Sequence, residues 1–226
     1  MCIKACKNVR ESKVLSFIPV ILLILSLLRK DLKREVHYYK VRLVKVAGGG
    51  RMRALLSVFN KDGIVELAEG LKELEIELIA TDGTANAILK HGIPVKRVSE
   101  FTGVPEMLGG RIKTLHPAIH AGIATGDIGL VAVNLIPLNA LTSMDIGGVA
   151  LIRSALKNFE KTAVVVNPAR YHQIIDELLH NGHLSYNTRL ELACEASSYI
   201  AEYDSKVDKM LRELRVKEVK NGYGYA

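Results

Sequence analysis

The stretch GGRIKTLHP (109–117) sets Arg111, Lys113, Thr114 and His116 behind a Gly-Gly pair. Those side chains supply cations and hydrogen-bond donors, and the glycines let backbone approach a ligand closely, although any one of these side chains taken alone fits a solvated face. ATDGTA (80–85) sits between an apolar run and a helical one, so the amides of Gly83, Thr84 and Ala85 would face any anion above the strand, with Thr81 and Thr84 adding hydroxyls. By itself this fits equally a capped turn in which Thr81 or Asp82 satisfies the first amides. SVFNKDG (57–63) adds Ser57 and Lys61 at the end of the neighbouring strand, and the two segments together describe a phosphate cradle. MDIGGVALIRSALKN (144–158) contributes Asp145 and Lys157, which taken alone are an ordinary helix N-cap and a last-turn cation.

Several chemistries are set aside by the same reading. His116 and His120 have metal-like spacing, but Pro117 interrupts the helix such a pair would need and no glutamate follows His116, so no metal is expected. Cys2 and Cys6 have no second pair to complete a metal site, and Cys194 is the only other cysteine, which suits a reducing compartment. No Walker A loop, GxGxxG fingerprint, GxSxG elbow or zinc ribbon occurs, which removes nucleotide-cofactor and serine-hydrolase readings.

The elements that must position these residues follow from periodicity. RALLSV, ELIAT, the short VKRV, IGLVAVNL and TAVVVN are apolar runs of strand length, the longer ones continuous enough to be covered on both faces. Helical spacing falls between them in KDGIVELAEGLKELE, TANAILKHG and GVALIRSALKNF, with a one- or two-turn helix expected around TGVPEML. PARYHQIIDELLHNG and a long helix over about 186–214 follow. This alternation predicts an α/β fold with a mostly parallel central sheet, crossover helices on its faces and further helices at the C-terminus. Ligands then gather at the carboxyl ends of the strands, where the segments quoted above fall.

Charge divides the 226 residues unevenly: positions 1–51 hold twelve Lys and Arg against three Asp and Glu, and the rest holds 19 against 21. The formal +7 therefore belongs to the first 51 residues, and no nucleic-acid partner is expected for the remainder. VLSFIPVILLILSLL (14–28) spans ~22 Å as a helix, short of the ~30 Å of a bilayer core. The domain expectation is a basic, apolar leader over 1–51 that is not part of the fold, a domain over 52–215 and a loose tail over 216–226. Membrane attachment is expected only if the leader is a real part of the protein.

Taken in order, LLSVFNKDGIVELAEGL, ATDGTA, SEFTGVPEMLGGRIKTLHPAIHAGI, NLIPL, DIGGVALIRSALKN and LSYNTRLELACEASSYIAEYD resemble the IMP cyclohydrolase domain of bifunctional purine biosynthesis proteins, over about residues 53–205. Methylglyoxal synthases and the allosteric domain of carbamoyl phosphate synthetase share the phosphate turn but not KTLHP, nor DIGG followed by a helical lysine. The resemblance implies a methylglyoxal-synthase-like three-layer fold, here stand-alone without the formyltransferase domain. It further implies a cytoplasmic homodimer that closes the ring of 5-formamidoimidazole-4-carboxamide ribotide to IMP with loss of water and without a cofactor. Ser57, Lys61, Thr81, Gly83 and Thr84 would hold the phosphate and ribose, with Arg111, Thr114 and Gly147 also binding substrate. Lys113 and Lys157 would supply positive charge at the developing oxyanion, and Asn134 and Asp145 would orient or deprotonate the carboxamide.

Departures from the family pattern are informative. Ile136 stands where the family has a tyrosine, and Asp82 where the phosphate turn commonly has glycine, so Asp82 is expected to point away from the phosphate. The connections AGIATGDIGL and NLIPLNALTSMDIGG look shortened. Asp145 and Lys157 are ~18 Å apart along a straight helix, so both reach one small base only if DIGG is extended and the lysine folds back, or if one comes from a second subunit. A purine-nucleotide-binding module without turnover and a methylglyoxal-synthase-like phosphate lyase are the rival readings.

Overall fold

Residues 52–220 are described by a computed structural model; the 1–51 leader and the end of the expected tail lie outside the described residues. Five strands, β1 (Arg53–Val58), β2 (Glu77–Ala80), β3 (Lys96–Arg97), β4 (Ile128–Asn134) and β5 (Ala163–Val165), form one sheet in the order β3-β2-β1-β4-β5. All four pairings are parallel, as the runs with both faces apolar require.

Alternate residues of each strand feed two separate cores. Leu56, Ala80, Ala132 and Val165 stand in one register across the sheet and pack under α1 (Ile64–Glu73), α2 (Asp82–Leu89) and α6 (Tyr171–Asn181). Leu55, Ile79, Val131 and Val164 face the other way. They pack under α3 (Val98–Thr102), α4 (Pro117–Thr125), α5 (Ile146–Lys157) and α7 (Tyr186–Lys220). The three-layer α/β expectation is met, with an entirely parallel sheet.

Three differences from the sequence expectation have local causes. The short helix expected around TGVPEML ends at Thr102, because Gly103 adopts φ 72 and Pro105 cannot continue it. Pro117, expected to interrupt a helix, starts α4 at its first position, where a proline costs no hydrogen bond, and His116 caps it by accepting from the Ala118 amide. Helix α7 continues through Lys220, so residues 216–220 of the expected tail are helical. Among the described residues no helix is long and apolar enough to cross a membrane.

Thr162, fully buried, ties the two turns that enter β4 and β5. Its hydroxyl oxygen lies 2.8 Å from the Ile123 carbonyl and 2.7 Å from that of Ile128. Thr162→Val keeps the shape and removes the donor, which should cost about 1–3 kcal/mol and lower the melting temperature by several degrees, read by calorimetry.

Candidate functional site

The strand order fixes where a ligand fits. β1 continues to β2 on one side and pairs with the later β4 on the other, so the order of connection reverses between β1 and β4, and a crevice opens beyond their carboxyl ends. A cleft of about 630 Å³ lies there. Ser57, Lys61, Thr81, Gly83, Thr84, Arg111, Lys113, Thr114, Asn134, Asp145 and Gly147 all line it. The sequence placed these residues on five separate segments, and the fold brings them to one cavity.

Lys157 is the exception. It occupies the last turn of α5, exposed, while Asp145 caps the first, so the two are ~18 Å apart and Lys157 is not among the residues lining the cleft of its own chain. The extended DIGG that would have shortened this distance does not form, because Ile146, Gly147 and Gly148 already belong to the helix.

The cradle at β1 and β2 differs in detail from the sequence expectation. Thr81 is the N-cap of α2, and its carbonyl accepts from the Thr84 and Ala85 amides at 2.9 and 2.7 Å. Only the Asp82 and Gly83 amides at this helix start are therefore left for an anion. The Thr84 hydroxyl is also engaged: fully buried, it accepts from the Val58 amide and donates to the Val58 carbonyl, both at 3.2 Å. Thr84 thus joins α2 to the end of β1, leaving ligand contact to Ser57, Thr81, Gly83 and Lys61. Asp82 points away, held by Arg97 at 2.9 Å, while the same guanidinium reaches Asn86 at 2.6 Å. The carboxylate that would have repelled a phosphate is neutralised at the edge of the sheet.

Cations dominate the cleft. Lys61 donates to the carbonyls of Val58 and Phe59, and its pKa is lowered first by burial and then by the positive charge of Lys113. Arg111 and Lys113 have no ion-pair partner among the described residues. A lysine lowered by a neighbouring cation gains from a bound anion.

The opposite wall is built on Asp145. Its Oδ1 accepts from the Gly148 amide at 2.7 Å, capping α5, and its Oδ2 accepts from the Ile136 amide at 3.1 Å, which leaves further lone pairs for a ligand. Asn134, to which the resemblance gives the role of orienting or deprotonating the carboxamide, spends its amide mostly on the protein. Its Oδ1 accepts from Phe59 and Asn60 amides at 2.6 and 2.8 Å, and its Nδ2 donates to the Asn60 carbonyl at 3.0 Å. One N–H remains, so Asn134 chiefly ties β4 to the Lys61 turn. Ile136 lines the cleft 41% exposed, an apolar wall beside Asp145.

The opening GGRIKTLHP loop starts from a tight hairpin in which Met107 and Ile112 exchange both backbone hydrogen bonds. Leu108, Gly109 and Gly110 all have positive φ there, and a side chain at Gly110 would also meet the Glu106 carboxylate at 3.2 Å. The loop then locks onto DIGG: a Cβ on Gly147 would lie 2.8 Å from the Thr114 hydroxyl. One on Gly148 would lie 2.6 Å from Leu135 and 2.9 Å from the Asp145 carboxylate. These two glycines are required by close approach, since neither has positive φ.

Sequence reasoning missed Tyr199 and Tyr203 of α7, whose hydroxyl oxygens accept from the Leu135 amide at 3.0 Å and the Asp145 amide at 2.8 Å. Their helical spacing carries only a core signal, and Tyr203 is indeed buried in the core while Tyr199, half-buried, packs against it. Among the described residues no group of three or more His, Cys, Asp or Glu could hold a metal ion.

Comparison with known proteins gives a consistent set of likenesses. The MGS-like domain family matches residues 63–174, and the AICARFT/IMPCHase bienzyme family matches 155–224. The bifunctional purine biosynthesis protein PurH of Desulfitobacterium hafniense is 44% identical over 179 residues, which cover 67% of this chain and 35% of that protein. The PurH protein of Xanthomonas oryzae pv. oryzae is 40% identical over 186 residues, 70% of this chain and 35% of its own. The chain thus spans about a third of the length of the curated relatives it matches. The crystal structure of ForH superposes with a TM-score of 0.65 at 32% identity, covering 72% of this chain and all of that one.

The lowered Lys61 pKa has a definite sign. Below it the ammonium form is present and slightly destabilises the empty fold, and that cost disappears as pH rises toward the ordinary 10.5. Phosphate binding needs the ammonium, so affinity for inorganic phosphate should hold below the lowered value and fall as pH rises through it. Lys113→Ala removes one repulsion and should move that fall to higher pH in calorimetric titrations; an unmoved limb would show that the two lysines are not coupled. Gly148→Ala should lower stability by about 1–3 kcal/mol, measured as the shift of the denaturant midpoint.

Proposed function

The chain belongs to the MGS-like domain family, in the branch formed by the IMP cyclohydrolase domains of bifunctional purine biosynthesis proteins, and from that membership we propose that it closes the purine ring of 5-formamidoimidazole-4-carboxamide ribotide to give IMP and water. One observation carries the reading: apart from Lys157, every residue the resemblance nominates lines the same cleft.

The chemistry asks little beyond position. The carboxamide nitrogen adds to the formyl carbon of the same molecule and passes one proton on; the resulting carbinol then loses its hydroxyl and the neighbouring ring-nitrogen proton as water. Holding a near-attack conformer supplies much of the rate. Ser57, Thr81, Lys61 and the free amides of α2 would grip the phosphate. Lys113 would stabilise charge on the formyl oxygen, and the lone pairs left on Asp145 would take the carboxamide proton. Arg111, Thr114 and Gly147 would line the base. No resident metal or cofactor enters this proposal.

Lys157 fits only as a residue reaching a neighbouring subunit's cleft, so its proposed role goes with a cytoplasmic homodimer. Ile136 favours a second reading, a nucleotide-binding module without turnover, because no hydroxyl stands at that place in the wall.

IMP formation followed by absorbance separates the two. The full chain should turn over, and Lys113→Ala should lower kcat by about 10²–10³-fold, the usual effect of removing an oxyanion donor. If neither protein turns over while the unaltered chain binds IMP, the binding module is the function.

A further inference from the structure

We propose that Tyr203 and Tyr199 are positioning residues that set the shape of the base-binding wall through their hydroxyls, a role that rests on the ribotide reading of the cleft for its ligand but not for its geometry. The wall in question is the segment from Leu135 to Asp145, which has no strand or α-helix of its own and contains only a three-residue 3-10 turn, Leu141–Ser143. It contributes Ile136, Leu141, Met144 and Asp145 to the cleft.

A loop of this kind keeps its shape only through its ties. Ser143 holds the middle: its hydroxyl oxygen lies 3.2 Å from both the Asn139 and Ala140 amides and donates to the Ala140 carbonyl at 2.8 Å. Asp145 accepts from Ile136 across the loop. The two ends are fixed to α7, where Tyr199 takes the Leu135 amide and Tyr203 takes the Asp145 amide. The tyrosines are four residues apart and so lie on one helix face, giving a fixed spacing to which both loop ends are pinned.

Packing alone does not explain the hydroxyls. Tyr203 is buried among Ile200 and Ala196, where phenylalanine would fill the same volume. Each phenol oxygen instead accepts a backbone N–H for which no other acceptor is found among the described residues, and burial pushes the Tyr203 phenol up. The phosphate cradle is built from β1, β2 and α2 and braced at the Lys61 turn by Asn134 of β4, and the hydroxyl of neither tyrosine bonds to any of these groups. The pair therefore acts on one end of the cleft.

That asymmetry gives a readout which general loss of stability would not reproduce. Tyr203→Phe and Tyr199→Phe in the full chain should bind inorganic phosphate within twofold of the unaltered protein. IMP affinity should fall by about tenfold, the factor worth one hydrogen bond of ordinary strength. Independently of any ligand, amide hydrogen exchange should accelerate by a similar factor across 135–145 and stay unchanged at 57–61 and 81–85. Equal loss of phosphate and IMP affinity, or unchanged exchange in 135–145, overturns the proposal. Failure of the unaltered chain to bind IMP overturns the ribotide reading instead, while the exchange measurement still decides the role of the tyrosines.

Discussion

The reversal of strand order at β1 is the constraint from which the rest of this molecule follows. Parallel strands joined by right-handed crossovers put the connecting helices on one face while the chain advances in one direction, and on the other face once it turns back. Helices α1 and α2 accompany the advance from β1 to β3 and share one core; α3, α4 and α5 accompany the return through β4 to β5 and share the other. Adjacent strands β1 and β4 consequently send their helices to opposite sides. The gap between those departures is the cleft, and no side chain had to be removed to make it.

The cleft contains two unlike ends. At β1 and β2 the polar groups are backbone amides, hydroxyls and lysines whose charges disfavour one another. Such a site is poorly satisfied when empty and gains from an anion, a local cost of the kind that functional sites carry. At β4 the wall is a loop fixed by hydrogen bonds to its own backbone, in which Asp145 is both the cap of α5 and the brace of Ile136. Glycine at 147 and 148 lets that cap come within contact of Thr114 and Leu135, so the KTLHP and DIGG segments are a matched pair of surfaces.

The family resemblance and the physical account meet at these contacts and part at others. Thr84 and Asn134 belong to the cleft, yet their side chains are largely spent on holding β1 and β4 in place. Asp82, where the resemblance leads one to expect glycine, is drawn outward by Arg97 on the neighbouring edge strand. Ile136 has no such compensating partner, and it turns part of the wall apolar.

The sequence alone determined the layer structure and the places where ligands gather. Strands covered on both faces must be apolar throughout and helices must repeat near 3.6 residues, so period and order together imply a parallel sheet with sites at the carboxyl ends of its strands. The residues of the cleft were legible for the same reason, since glycines, hydroxyls and cations cluster at those ends. Helix α4 was harder to see because Pro117 serves equally as a breaker and as a first-turn residue, and only its surroundings distinguish the two. What the tertiary structure decided was how each polar group is used. Whether Thr84 meets a ligand or Val58, whether Asp82 faces inward, and whether Tyr203 is core or support depend on contacts between segments far apart in the chain. Periodicity constrains the direction of a side chain but says nothing of the partner waiting there.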